Sequence, residues 1–233
     1  MTTNKNVSDI YTNADYLSKN PTWHTERSPW KASNVFKILE KNGIRPKSMC
    51  DIGCGVGLVL NELANKYDLD SAIGFEPSQD VPQNEDDANR VKVLNEDASS
   101  YEGTFDVSIM MDVFEHVEDY FGFLRNVKHL ANVHVFHIPL DATVLHLLHN
   151  GFLKTRNSAG HLHYFTPETA VQTLKDTGYS IMDSQFTKMG WEGPGRKPNS
   201  LFNLTRRLLF AINRRWAQKI LGGVSLMVLA RAD

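Results

Sequence analysis

The sequence lacks a long apolar run that would carry it across a bilayer. No apolar run reaches the roughly 18–20 residues that a span requires. The longest candidate, Val224 to Ala230, stops at Arg231. The first sixteen residues have no apolar core of the kind a secretory signal needs. Cysteine is scarce: Cys50 and Cys54 are the only two, too few for a disulfide framework. A reducing, cytoplasmic setting is therefore expected. Glycine (15 residues) and proline (9) stand at ordinary levels with no low-complexity tract, which excludes collagen-like and disordered classes. Metal spacings are missing too: there is no H-E-x-x-H, and the cysteines are spaced C-x-x-x-C rather than C-x-x-C. No resident metal is expected.

What remains is a globular composition, 41% hydrophobic over 233 residues, which suits one large domain with an appendage. The net charge of −2 conceals an asymmetry. Residues 196–221 hold Arg196, Lys197, Arg206, Arg207, Arg214, Arg215 and Lys219 and no acid, a charge of +7, so the rest of the chain carries −9. An acidic body of that kind offers no groove for nucleic acid.

From Pro46 onward short apolar runs alternate with helix-like segments, the pattern of an α/β sheet. Strands are expected at Ser48–Ile52, Ser71–Glu76, Val91–Leu94, Phe105–Met111 and Val133–Ile138, with two more at Tyr179–Thr187 and Val224–Ala230. Weak helical content is expected within 78–90, a helix over 141–150 and a loop from there to His161. Thr166-Pro167-Glu168 opens a further helix, with a hydroxyl cap, proline in the first turn and an acid beside the helix N-terminus. The organisation read from this is an N-terminal extension over 1–45, with a helix near Ala32–Lys41, followed by one domain over 46–233. That domain includes a basic helical insert over 190–222.

The chemistry begins at Asp51-Ile52-Gly53-Cys54-Gly55-Val56-Gly57, where a strand turns into a helix. Backbone N–H groups there can face a ligand, and the missing Cβ atoms let it come close. A nicotinamide-binding loop would space its glycines G-x-G-x-x-G; here the third glycine follows the second by two. The D-x-G-x-G-x-G run resembles motif I of class I S-adenosylmethionine-dependent methyltransferases. Further segments resemble the same family in order: Glu76-Pro77 ending the second strand, Asp97-Ala98 after the third, Met111-Asp112-Val113-Phe114-Glu115-His116-Val117 after the fourth, and Gly160-His161 to Phe165-Thr166 before the later helix.

The resemblance implies a doubly wound, mostly parallel seven-stranded sheet with its last strand antiparallel, and S-adenosylmethionine as cofactor. It places Asp51, Gly53, Cys54, Gly55, Gly57, Glu76, Pro77, Asp97, Ala98, Met111, Asp112 and His116 around that cofactor. Glu76 would take both ribose hydroxyls and Asp97 would meet the adenine. An N-terminal lid carrying Trp23, His24, Trp30 and Lys31 would close over the methionine end, with Trp30 and Lys31 touching the cofactor. His116, His161 and His163 are the candidate bases, with His137 a further one. The Asp112-x-x-Glu115-His116 segment also resembles the ubiquinone-biosynthesis O-methyltransferases, some of which look metal-dependent; a helix-capping or cofactor-bonding role for Glu115 and His116 is favoured over a metal site.

The implied function is methyl transfer, on oxygen, to a small molecule, glycan or lipid-linked intermediate. A catalytically silent cofactor-binding or scaffold protein is the alternative. No nucleic acid is expected as substrate, since the D/N-P-P-Y run of amino-group methyltransferases is missing. In the insert, Leu201, Leu204, Leu208, Ile212 and Trp216 share one helical face. That face has three readings. One is packing on its own domain or on a second subunit in a homodimer, with the arginines solvated; another is peripheral contact of 200–221 with the inner face of a membrane. Binding of an anionic soluble substrate is a third.

Overall fold

The computed structural model describes residues 25–78, 90–195 and 200–233. Trp23, His24, Arg196, Lys197 and most of the weakly helical stretch within 78–90 lie outside the described residues.

Seven strands form one sheet: β1 (Ser48–Ile52), β2 (Ser71–Phe75), β3 (Lys92–Leu94), β4 (Phe105–Met111), β5 (Ala131–Pro139), β6 (Tyr179–Thr187) and β7 (Ser225–Ala232). Their order is β3-β2-β1-β4-β5-β7-β6, and β7 runs antiparallel to both neighbours, as the family resemblance implies. Helices cover both faces: α1 (Ser28–Lys41), α2 (Leu58–Tyr67), α3 (Tyr120–Asn126), α4 (Val144–Leu148), α5 (Gly151–Ala159), α6 (Pro167–Asp176), α7 (Met189–Glu192), α8 (Leu201–Ile212) and α9 (Arg214–Leu221).

Alternation along the strands sorts the core into two layers. Met49, Val107, Ile109, Met111, Val135, Met227 and Leu229 pack on one face against Val35, Ile38 and Leu39 of α1 and Leu60 and Leu63 of α2. Cys50, Ile52, Met110, Phe136, Ile138 and Val228 pack on the other, against Leu124 of α3, Leu174 of α6 and Phe210 of α8. The described part of the N-terminal extension is thus a wall of the core, through α1.

Two expectations are corrected. A helix, α5, occupies 151–159 where a loop was expected; Asn150 and Gly160 bound it in left-handed conformations. The insert is two helices rather than one, broken at Asn213, whose side-chain oxygen accepts from the Arg215 and Trp216 N–H groups and caps α9. Its orientation is also the reverse of packing on its own domain. Leu201 and Ile212 are each 81% exposed and Trp216 64%, while Phe210, on the basic side, is buried against Phe186 and Trp191. Arg206 turns inward with it and donates two hydrogen bonds to the Leu221 carbonyl at the end of α9, at 2.9 and 3.3 Å.

Candidate functional site

The strand order puts a crevice at one place. From β1 the chain builds β2 and β3 outward, then crosses back to β4 on the other side of β1, so the connections after β1 and β4 diverge at the carboxyl edge. A cleft of about 910 Å³ opens there. The Gly53 and Cys54 N–H groups donate to the Phe75 carbonyl at 2.8 and 3.1 Å, fastening the glycine loop to the end of β2. Gly53 has a φ of 72°, and a Cβ on it would lie 2.8 Å from Val113 Cγ2. Gly55 (φ 55°) is also left-handed, a conformation open to glycine at no steric cost.

Glu76 stands across the loop. One carboxylate oxygen accepts from Gly55 N–H and the other from Ser78 N–H, both at 3.0 Å. Each oxygen keeps a second lone pair. Burial raises the Glu76 pKa, against the pull of those two N–H groups. Asp51, buried beside it, has an oxygen, Oδ1, with no hydrogen-bond partner among the described residues. Its pKa is pushed up to about 8 by burial, with Lys31 opposing and Glu76 adding to the shift. Burial pushes the Cys54 thiol up as well, so it is a neutral wall residue rather than a nucleophile. Pro77, Asp97 and Ala98 complete this end of the cleft; Asp97 also caps the turn after β3, accepting from Ser99 N–H at 2.8 Å.

The other side carries a chain of charge. Lys31 Nζ lies 2.8 Å from Asp112 Oδ2, and Asp112 Oδ1 lies 2.5 Å from His137 Nδ1. His137 Nε2 in turn meets the Thr187 hydroxyl at 2.7 Å. Burial alone would raise the Asp112 pKa, but His137 and Lys31 outweigh it and hold the carboxyl well below its usual range. Asp112 has a φ of 63°, uncommon outside glycine, which turns the chain away from β4 at the crevice.

Beyond Asp112 the short turn Phe114–His116 meets the loop that follows α5. The Leu162 and His163 N–H groups both donate to the Glu115 carbonyl, at 2.8 and 3.1 Å, locking the two segments together. Glu115, His116 and His161 thereby offer donor atoms within 4.8 Å of one another, close enough to hold a metal ion. The Glu115 carboxyl is fully buried, and neither oxygen has a hydrogen-bond partner among the described residues. Burial, reinforced by Asp112 and opposed by His161, moves its pKa up to about 8. Burial and the neighbouring His161 push His116 down to about 4, so it is neutral at physiological pH. His161 moves the other way: burial disfavours its charge, but the hydrogen bond from Nδ1 to Asp141 Oδ2 and the nearby carboxyls raise its pKa on balance.

The sequence-expected residues divide accordingly. Lys31, Asp51, Gly53, Cys54, Gly55, Glu76, Pro77, Asp97, Ala98, Met111, Asp112, His116 and His161 wall the cleft, and so does His137. His163, Trp30 and Gly57 do not. The His163 ring bonds the Val117 carbonyl at 2.9 Å and packs on Tyr120, Trp30 packs edge-on against His137, and Gly57 caps α2. Asp141 was not anticipated, although an acid two residues past the end of a central strand is a signal that could have found it. Arg206 and Ser225, in the far wall, were also missed.

A family model described as a methyltransferase domain matches residues 23–184, more than half of the chain. Among solved structures the chain is similar to the magnesium protoporphyrin IX methyltransferase of Synechocystis, solved with bound S-adenosylhomocysteine: 17% identity, 89% of this chain and 84% of that one covered, TM-score 0.58. It is similar to an S-adenosylmethionine-dependent methyltransferase of Archaeoglobus fulgidus at 18% identity, with 86% and 94% covered and a TM-score of 0.54. The cyclopropane synthase MmaA2 of Mycobacterium tuberculosis matches at 16% identity, 85% and 84% coverage and a TM-score of 0.53.

Proposed function

Since this chain belongs to the methyltransferase domain family, we propose that it transfers a methyl group from S-adenosylmethionine to a hydroxyl oxygen of a small-molecule, glycan or lipid-linked acceptor. The observation that carries the oxygen reading is the Asp141–His161 pair in the cleft wall, 2.7 Å apart. The residues fit the cofactor. Gly53 and Gly55 line the cleft with left-handed backbone and no side chain, Glu76 holds a spare lone pair on each oxygen for a diol, and the orphaned Oδ1 of Asp51 suits a cation. When bound, S-adenosylmethionine supplies a methyl group already activated by the sulfonium.

The protein's part is placement and one proton. Asp141 holds the His161 ring through Nδ1, leaving Nε2, which has no protein hydrogen bond among the described residues, to take the acceptor's hydroxyl proton as the oxygen gains the methyl group. Burial raises the Glu115 pKa and so lessens the negative charge beside the base. Neutral His116 packs edge-on to the His161 ring, 4.8 Å between centroids, and limits its rotation. Calorimetric titration with S-adenosylhomocysteine tests the cofactor assignment. Wild type should bind, and Gly55→Val should lose binding while still unfolding cooperatively; a Gly55→Val protein that binds normally would overturn the assignment of this loop.

A further inference from the structure

We propose that the exposed apolar face of α8–α9, continued by α4–α5, docks this protein on an anionic lipid bilayer, with the acceptor side of the cleft next to the membrane. Twelve large apolar side chains are exposed among the described residues, and eleven of them fall within 144–153 and 201–220. Scattered exposed leucines need no explanation, but a concentration like this one marks an interaction surface. The two stretches are neighbours in the fold. The Gln218 side chain of α9 donates to the Leu140 carbonyl ahead of α4, and a Cβ on Gly222, just after α9, would lie 3.0 Å from Thr143 Cγ2, the residue that caps α4.

Charge selects the occupant. Arg207, Arg214 and Arg215 are exposed around the apolar stripe, with no acidic partner among the described residues; Lys219 pairs with Glu168 at the rim. There is no acid between residues 200 and 222, nor between 142 and 167. A second copy of this chain would meet the patch through the same patch, setting those arginines against themselves with nothing to neutralise them. An anionic lipid surface satisfies both halves: apolar side chains enter the acyl boundary while guanidinium groups remain among the headgroups, with Trp216 at the interface. No helix among the described residues is long and apolar enough to cross a membrane, so the contact is peripheral.

The same elements wall the cleft, through His146 of α4 and Arg206 of α8. Entry of a lipid-borne acceptor from the bilayer rests on the methyl-transfer reading; the docking itself does not.

The test is flotation of the full chain with vesicles, either of phosphatidylcholine alone or of equal parts phosphatidylcholine and phosphatidylglycerol. It should float with the anionic vesicles at low salt and far less with the zwitterionic ones. Near 1 M salt, where screening shortens to about 3 Å, flotation should fall. Leu208→Ser/Ile212→Ser/Trp216→Ser and Arg207→Glu/Arg214→Glu/Arg215→Glu should each weaken partitioning roughly tenfold or more, since the two forces act together. Both variants should still bind S-adenosylhomocysteine as wild type does, which separates loss of docking from loss of fold and from failure of the methyl-transfer reading. Wild type that ignores anionic vesicles, or variants that float as it does, would overturn the proposal. So would a sedimentation dimer that the apolar triple variant converts to monomer without any vesicle binding.

Discussion

His161 and Asp141 bound a twenty-residue excursion from the sheet, yet Nδ1 of one lies 2.7 Å from Oδ2 of the other. The excursion closes on itself at the cleft, and the carboxylate sets both the ring's orientation and its affinity for a proton. A base must be neutral to act, so activity should fall as pH drops through the His161 pKa, which lies above the ordinary imidazole value. Asp141→Asn keeps the shape and removes the charge. Its acidic limb should move to lower pH while kcat drops by about 10², with S-adenosylhomocysteine affinity unchanged. Activity of wild type should survive exhaustive chelation. An unmoved pH profile in the variant would remove Asp141 from the mechanism, and loss of activity on chelation would point to a metal at Glu115, His116 and His161.

Glu76 gives a second measurement. Glu76→Ala removes the acceptor of the Gly55 and Ser78 N–H groups together with the proposed ribose contact. Cofactor binding measured by calorimetry should weaken by about 1–3 kcal/mol. Glu76→Gln, which keeps one carbonyl acceptor, should fall between that variant and wild type.

Asp51 should reveal a cost of the site. A carboxyl whose folded pKa is raised favours the folded state most at low pH, and that contribution is lost as pH climbs from its unfolded value to its folded one. With Asp51 pushed up to about 8, the window runs from roughly pH 4 to pH 8. Asp51→Asn does not titrate, so the cofactor-free variant should melt above wild type, by a margin that widens between pH 5 and pH 8. Each kcal/mol gained corresponds to roughly 2–4 °C in a chain of this size. Cofactor affinity should fall in the same protein. A margin that does not grow with pH would show that Asp51 is satisfied in the folded state.

The orientation of α8 can be checked by stability alone. Phe210, 7% exposed and packed on Phe186 and Trp191, should cost about 3 kcal/mol as Phe210→Ala. Ile212→Ala, two residues on, should stay within about 0.5 kcal/mol in denaturant unfolding. The reverse result would turn the helix over.

Much of the donor half was legible because its constraints are local. β1, β4 and β6 begin and end where the residue pattern puts them, and the glycine loop, Glu76 and Asp112 follow strand ends directly. The acceptor half depends on contacts between distant segments, which no local pattern carries. Asp141 and His161 meet only because α4 and α5 fold between them, and α5 lies where the residue pattern reads as a loop. The insert was open for another reason. An amphipathic pattern does not say which way its apolar stripe faces, and here a single aromatic, Phe210, and the hydrogen-bonded Arg206 anchor the opposite side.

The two long excursions, from β5 to α6 and from β6 to β7, leave the sheet and return to it without changing the strand order. They supply His146, His161, Arg206 and the residues flanking β7, while the glycine loop and its acids stand on β1, β2 and β4. The chain is therefore modular at its working edge. On the proposed reading, exchanging either excursion would change the compound modified and leave the glycine loop and its acids in place.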